Sequence, residues 1–234
     1  MSFNNFLLKD ILTLSKICRM KKAAIFDIDG TIIKNISSER VFFRFLFKRK
    51  IVTFKDLLRL AGIFISKLFS LKGLYFRKNK YYLKNKEYDK IVSNINECFK
   101  NAILPHISKT AIEEIQRLRN EGYLIILLSG TLEPIVECFK EYCNADIGVG
   151  TNLCIKDGLI TGEIDGIHSY NQGKVKVIEQ LAKKYNIDLS SSTAYANQYS
   201  DIKFMRLFGN PVAVNATPLL RWYANVNRWK RIEF

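Results

Sequence analysis

The sequence predicts an α/β domain built on a doubly wound, Rossmann-like parallel sheet with helices on both faces. Two observations carry this. Short, largely apolar runs recur along the chain, each closing on polar residues, as strands buried on both faces do. Between them lie stretches whose apolar residues repeat at helical spacing. Strands that alternate with helices pair in parallel through crossovers, which puts helices on both sides of the sheet.

The elements follow in order. Residues 1–19 carry an apolar stripe (Phe6, Leu7, Ile11, Leu14) without a small-residue cleavage site, which fits an extra helix better than a signal peptide. Met20 followed by Lys21 and Lys22 reads like an alternative start. Ala23-Ala24-Ile25-Phe26 is a buried strand that closes on Asp27-Ile28-Asp29-Gly30. From Ser38 to Lys100 the texture is helical and crowded with Phe, Tyr, Lys and Arg. Residues 110–120 form an amphipathic helix with Ile112, Ile115 and Leu118 on one face, ended by Glu121-Gly122. Tyr123 to Leu128 is a second strand, ending at Ser129-Gly130-Thr131, and Leu132 to Tyr142 is again helical. Asp146 to Val149 reads as a short strand, and Gly158 and Gly162 flank a hairpin near Thr161. Gly173-Lys174 opens a helix that runs to about Tyr185. Thr193 to Ala196 and Pro211 to Val214 are the last two strands.

A chain of 234 residues with 48% apolar and 25% charged residues buries a real core as one domain, or as one domain with an insertion. Its charge is less ordinary: 37 Lys and Arg against 22 Asp and Glu leave +15. That field attracts something anionic, whether nucleic acid, an acidic membrane surface or a phosphorylated substrate. Five scattered cysteines form no CxxC pair, which argues against a zinc site or a disulfide framework and suits a reducing cytosol. With only two histidines, His106 and His168, in unrelated contexts, a His triad or a His metal cluster is disfavoured. Lys55, Arg59, Lys67 and Lys72 interrupt the longest apolar stretch, so a membrane-spanning helix is disfavoured too.

The chemistry gathers at strand ends. Asp27, Asp29, Ser129 and Asn197 each follow a predicted strand, and Lys174 opens a helix. In a doubly wound sheet, ligands bind beyond the carboxyl ends of the strands, so these residues should meet on one rim. With one residue between them on an extended backbone, Asp27 and Asp29 point the same way. They would either share a divalent cation or divide the work of nucleophile and acid/base. Gly30 allows close backbone approach there, and Thr31 suits a cap for the next turn.

In this order, a strand with Asp27-Ile28-Asp29-Gly30-Thr31, a strand with Ser129, Gly173-Lys174, and a strand followed by Asp201 resembles the haloacid dehalogenase (HAD) superfamily. The likeness is to its phosphoserine-phosphatase-like subfamily IB. The stretches that carry it are FDIDGTI, LLSGTLEPIVE, GTNLCIKDGLITGEI, GKVKVIEQL, YANQYSDIKFM and GNPVAVN. The resemblance implies a catalytic core of residues 22–37 and 105–234, an inserted helical cap of residues 38–104, and an N-terminal extension of residues 1–21. It implies Mg²⁺-dependent phosphomonoester hydrolysis in which Asp27 attacks phosphorus to form an aspartyl-phosphate. Asp29 would be the acid and then the base, and Lys174 would neutralise charge. Ser129 and the N–H groups of Gly130 and Thr131, taken as opening a helix, would bind phosphoryl oxygens. Asp27, the Asp29 carbonyl, and Asn197 or Asp201 would hold the metal.

The chain departs from that pattern twice. Asn197 stands where the family has a metal-binding Asp, which weakens the metal site without removing it. Ile36 stands where phosphoserine phosphatases carry the Glu that recognises the substrate amine; the nearest acid, Glu39, comes three residues later. The substrate class expected is a phosphorylated small molecule or a lipid phosphate, in the cytoplasm.

Sixteen Lys and Arg against five Asp and Glu fall between Ser38 and Lys100, so the charge concentrates in the cap. On a helical wheel over residues 54–71, Lys55, Arg59, Gly62, Ser66 and Ser70 share a narrow face opposite Phe54, Leu57, Leu58, Ala61, Ile65, Leu68 and Phe69. Such a helix either packs against its neighbours or lies on anionic lipid at the inner membrane face. The alternative function is therefore a catalytically weakened HAD-like protein that binds anionic lipid or a phosphorylated ligand through this cap. Nucleic-acid binding, with Phe42, Phe43, Tyr81 and Tyr82 as stacking groups, lacks any accompanying motif and is disfavoured.

Overall fold

A computed structural model describes residues 20–68, 79–166 and 172–234. The elements in chain order are β1 (Ala23–Phe26), α1 (Ser38–Lys48), α2 (Phe54–Leu68), a 3₁₀ turn (Tyr81–Leu83), α3 (Tyr88–Cys98) and α4 (Lys109–Asn120). They continue with β2 (Leu124–Leu132), α5 (Glu133–Cys143), β3 (Ile147–Lys156), β4 (Leu159–Asp165), α6 (Gln172–Tyr185) and β5 (Thr193–Ala196). The last are the short α7 (Ile202–Met205), β6 (Asn210–Val214), α8 (Pro218–Val226) and β7 (Lys230–Ile232).

The strands form one sheet in the order β4-β3-β2-β1-β5-β6-β7. All neighbours are parallel except β3 and β4, which form an antiparallel hairpin. The chain winds outward from β1 through β2 to β3, then returns to the other side of β1 at β5 and winds outward again. The order therefore reverses between β1 and β5, where a doubly wound sheet leaves a crevice at its carboxyl edge.

The period of two along each strand decides what covers each face. Ala24 and Phe26 of β1, with Ile125 and Leu127 of β2, pack under Ala111, Ile115 and Leu118 of α4 and Ile135, Val136 and Phe139 of α5. Ala23, Ile25, Ile126 and Leu128 point the other way, against Val177 and Ile178 of α6, Phe204 and Met205 of α7, and Leu220 and Ala224 of α8. Burial on both faces explains why these strands read as continuous apolar runs.

Between β1 and α4 the chain forms the helical segment. Phe42 and Leu46 of α1 and Ile91 and Ile95 of α3 join the same core as α4 and α5. The second helix turns differently from its wheel. Asp56 is buried, whereas Phe54 and Leu58 are exposed beside Lys55 and Arg59. The reason is local: the Asp56 carboxylate accepts from the Thr53 N–H and hydroxyl, both at 2.8 Å, and pairs with Lys86 at 2.9 Å. A carboxylate satisfied in this way can be buried, and the first turn of α2 leaves Phe54 and Leu58 facing solvent. Phe69, Ser70, residues 1–19 and His168 lie outside the described residues.

Three further boundaries differ from expectation. β2 continues to Leu132 through a register shift after Leu128, because β3 goes on pairing with it as far as Thr151. The β3–β4 turn is Asp157-Gly158, not a turn near Thr161; both residues have positive φ (52° and 75°), as a two-residue primed turn demands. α8 and β7, which complete the far edge of the sheet, were not expected. The four described cysteines, Cys98, Cys138, Cys143 and Cys154, are all free, and none of the described helices is long and apolar enough to cross a membrane.

Phe139 is wholly buried and meets Phe99 edge-on with ring centroids 5.0 Å apart, joining α5 to the end of the helical segment. Phe139→Ala is expected to cost about 3–5 kcal/mol in urea unfolding, while Phe54→Ala on the exposed face of α2 changes stability by less than about 0.5 kcal/mol.

Candidate active site

Asp27 is the first residue beyond β1, and its N–H donates to the Tyr195 carbonyl of β5 at 2.9 Å, which fixes it at the crevice. Asn197 is the first residue beyond β5. Lys174, in the first turn of α6, reaches the same point from the helices on the opposite face. Lys174 is 2% exposed, and its ammonium lies 2.7 Å from Asp27 Oδ1 and 2.9 Å from Asp201 Oδ1. It also stands 4.9 Å from the centre of the Phe204 ring. Asp29 takes a different anchor: its Oδ1 accepts the Ser38 N–H at 3.0 Å. That N–H is one of the free donors at the start of α1, so the carboxylate both satisfies the helix and is oriented by it.

A cavity of about 390 Å³ opens over these groups, lined among others by Asp27, Asp29, Ser129, Gly130, Thr131, Lys174 and Asp201. Two larger surface grooves, beside the Arg206–Lys230 segment and beside the β3–β4 hairpin, contain none of the predicted site residues. The second motif differs from expectation. Ser129, Gly130 and Thr131 do not open a helix; they lie in the irregular end of β2, and α5 begins only at Glu133. The Thr131 N–H donates to Ser129 Oγ at 3.3 Å, the Thr131 hydroxyl accepts from Ser38 Oγ at 3.1 Å, and the Gly130 carbonyl accepts from Thr151 at 2.9 Å.

A model of the haloacid dehalogenase-like hydrolases matches residues 24–206. The chain belongs to this family. Among curated relatives of this HAD-like hydrolase is the phosphoserine phosphatase of Methanocaldococcus jannaschii, 27% identical over 218 residues, which cover 91% of this chain and 94% of the relative. A phosphoserine phosphatase of Mycobacterium tuberculosis is 25% identical over 220 residues, covering 91% and 70%. Among solved structures, a Bordetella pertussis Tohama I protein of unknown function superposes with a TM-score of 0.77 at 20% identity, covering 92% of this chain and 99% of its own, a likeness of fold. The phospho-aspartyl intermediate analogue of phosphoserine phosphatase superposes with a TM-score of 0.60 at 25% identity, covering 87% and 91%. The HAD-like hydrolase is thus a phosphatase of the phosphoserine-phosphatase-like kind.

Charge in the site is unbalanced. Burial, with Asp201 and Asp29 nearby, pushes Asp27 up to about 7 against the pull of Lys174. Burial also raises Asp29, opposed by the Ser38 N–H. Although burial alone would lower it, Lys174 is held well above the ordinary lysine range by Asp201 and Asp27, so it stays an ammonium. One ammonium against three carboxylates leaves room for a further cation. The donors suit a hard one: carboxylates and the side-chain oxygen of Asn197, which is buried and has no hydrogen-bond partner among the described residues. Among the described residues no three acidic, His or Cys side chains form a ready-made metal cluster, so an amide or carbonyl oxygen has to complete any such set. Gly30, at φ +81°, packs so tightly on Asn197 that a Cβ there would fall 1.9 Å from its Nδ2.

Several residues with a bearing on the site escaped the sequence reading. Ser38 anchors Asp29, and Asn215 holds the Gly30 carbonyl at 3.2 Å. Arg40 and Lys80 line the cavity wall beside Glu39, which the sequence marks only as the acid nearest to Ile36. The Ser37-Ser38-Glu39 run before a helical stretch is a start signal that would have pointed to the first of these; nothing in the sequence marked Lys80.

Because Asp27 keeps its proton in the folded protein up to about pH 7 and loses it near 3.8 when unfolded, the native state binds more protons across that window. Stability of the metal-free protein therefore falls as pH rises through it. Asp27→Asn is expected to raise the Tm above wild type at pH 8 in chelator, with the gap closing toward pH 4.

Proposed function

We propose that this protein hydrolyses phosphomonoesters of phosphorylated small molecules through an aspartyl-phosphate on Asp27, with Mg²⁺ as its cofactor. The observation that carries the reading is the buried Asp27–Lys174–Asp201 cluster opening onto a cavity beside Asp29. A carboxylate of Asp27 attacks phosphorus; the bond from phosphorus to the leaving oxygen breaks, and Asp29 gives that oxygen its proton. Asp29 then takes a proton from water as the water attacks phosphorus, and the bond to Asp27 breaks to release phosphate. Asp29 is held in place for both steps by the start of α1. Lys174 holds Asp27 in position and offsets charge on the phosphoryl group, and the Ser129 hydroxyl on the cavity wall is a donor from β2. Magnesium would be held by Asp27, the Asp29 carbonyl and either Asn197 or Asp201, the latter paired with Lys174, and would supply charge neutralisation of the transferred group. The relatives' activity on phosphoserine supports a small phosphorylated metabolite as the substrate class. We take residues 38–104 to be the cap that closes this cavity.

A second reading, contact of the cap with anionic membrane, is favoured by one observation: Phe54 and Leu58 are 64% and 58% exposed beside Lys55 and Arg59.

Phosphate release from a panel of phosphomonoesters under magnesium titration tests the first reading. Wild type is expected to turn over, Asp27→Asn to fall by at least about 10³-fold, and Asn197→Asp to reach half-activity at lower magnesium because it restores a negative ligand. Silence in wild type and in Asn197→Asp alike would refute it. For the membrane reading, sedimentation with anionic vesicles should be strong at low salt, weaken as salt rises, and drop with Phe54→Ser plus Leu58→Ser.

A further inference from the structure

The cavity wall beyond the reacting groups has a composition that bears on the substrate. With Asp29 as the acid, the leaving group lies on the Asp29 side. There Asp29 is bound to the N–H of Ser38, and the next two residues of α1, Glu39 and Arg40, line the cavity together with Lys80. Apart from Asp27, Asp29 and Asp201, Glu39 is the carboxylate of this wall. It is not available. Lys80 donates to one of its oxygens at 2.5 Å, and the Tyr82 hydroxyl donates to the other at 3.1 Å. The clamp is braced on both sides: the Lys80 N–H donates to the Gly162 carbonyl of β4 at 2.8 Å, and the Tyr82 ring meets Phe43 of α1 edge-on at 5.4 Å. Lys80 is 8% exposed, so the pair is shielded enough to hold. Arg40, by contrast, is exposed and makes no hydrogen bond or ion pair with any described residue. With Glu39 and Lys80 cancelling, the wall presents one uncompensated guanidinium.

We propose, resting on the phosphatase reading of this site, that the cavity selects a phosphomonoester whose leaving group carries a further anionic group. Arg40 is the recognition residue, and Glu39 is withheld from any substrate ammonium by Lys80 and Tyr82. A guanidinium fits a carboxylate or second phosphate as a two-pronged donor. An ammonium in the same place meets Arg40 and finds its natural partner already taken. The amine-recognising acid that Ile36 replaces is therefore not supplied by Glu39 from three residues away.

The test compares three esters with small leaving groups: phosphoglycolate (anionic), glycerol 3-phosphate (neutral) and phosphoethanolamine (cationic). In wild type with magnesium, kcat/KM is expected to fall in that order, with about tenfold or more separating the ends, as one charged hydrogen bond would give. Arg40→Gln should collapse the ratio of phosphoglycolate to glycerol 3-phosphate toward one, chiefly through KM, and Arg40→Lys should restore part of it. Lys80→Met, which frees Glu39, should move the ratios toward phosphoethanolamine. Dissociation constants for the same esters on Asp27→Asn, by calorimetry, should follow the same order. Phosphoethanolamine preferred in either assay, or a ratio unchanged in Arg40→Gln, overturns the proposal while leaving catalysis standing. The expected binding order without turnover removes the catalytic reading and leaves this one. A protein that neither binds nor turns over any of the three overturns both.

Discussion

The site depends on one buried ammonium. Lys174 stands between Asp27 and Asp201, which come from the ends of two neighbouring strands, and without it two carboxylates would face each other out of water. A cluster of this kind is costly to bury, and removing the ammonium would strand both carboxylates. The cluster therefore adds little to net stability while tying β1, α6 and the turn after β5 to one another. The Phe204 ring under the ammonium adds a partner that needs no further charge.

The sheet order makes that cluster possible. Because the winding reverses between β1 and β5, the helices that follow them depart to opposite faces and leave their strand ends uncovered. Asp27 and Asn197 occupy that gap, and α6 enters it from one face while the start of α1 enters from the other. Core and helical segment are joined most directly at Asp29, whose carboxylate is held by the first N–H of α1.

Much of this was legible in the sequence, for physical reasons. Strands buried on both faces must be apolar throughout, so β1, β5 and β6 stood out, and polar residues just past them had to share one edge. What stayed hidden depends on partners far apart in the chain. Nothing local distinguishes a free Glu39 from one clamped by Lys80, 41 residues on. Likewise nothing local marks Asp56 as buried, since one of the partners that satisfy it, Lys86, lies 30 residues on. The end of β2 was missed because β3 pairs past the bulge, a matter of register between strands that apolar periodicity does not encode. The last helix and strand were missed because short edge elements carry too few residues to show a period.

The contact between Gly30 and Asn197 has a consequence for how these positions can vary. A methyl group at position 30 would overlap the amide, so the two residues occupy one shared volume. Aspartate has nearly the same shape as asparagine and fits that volume unchanged. Residue 197 is thus constrained in form but open in charge, whereas residue 30 has no latitude in either. Across a lineage, the electrical character of this site could drift by single substitutions at 197 with no compensating change at its neighbour, and any replacement at 30 would have to wait for a smaller residue at 197.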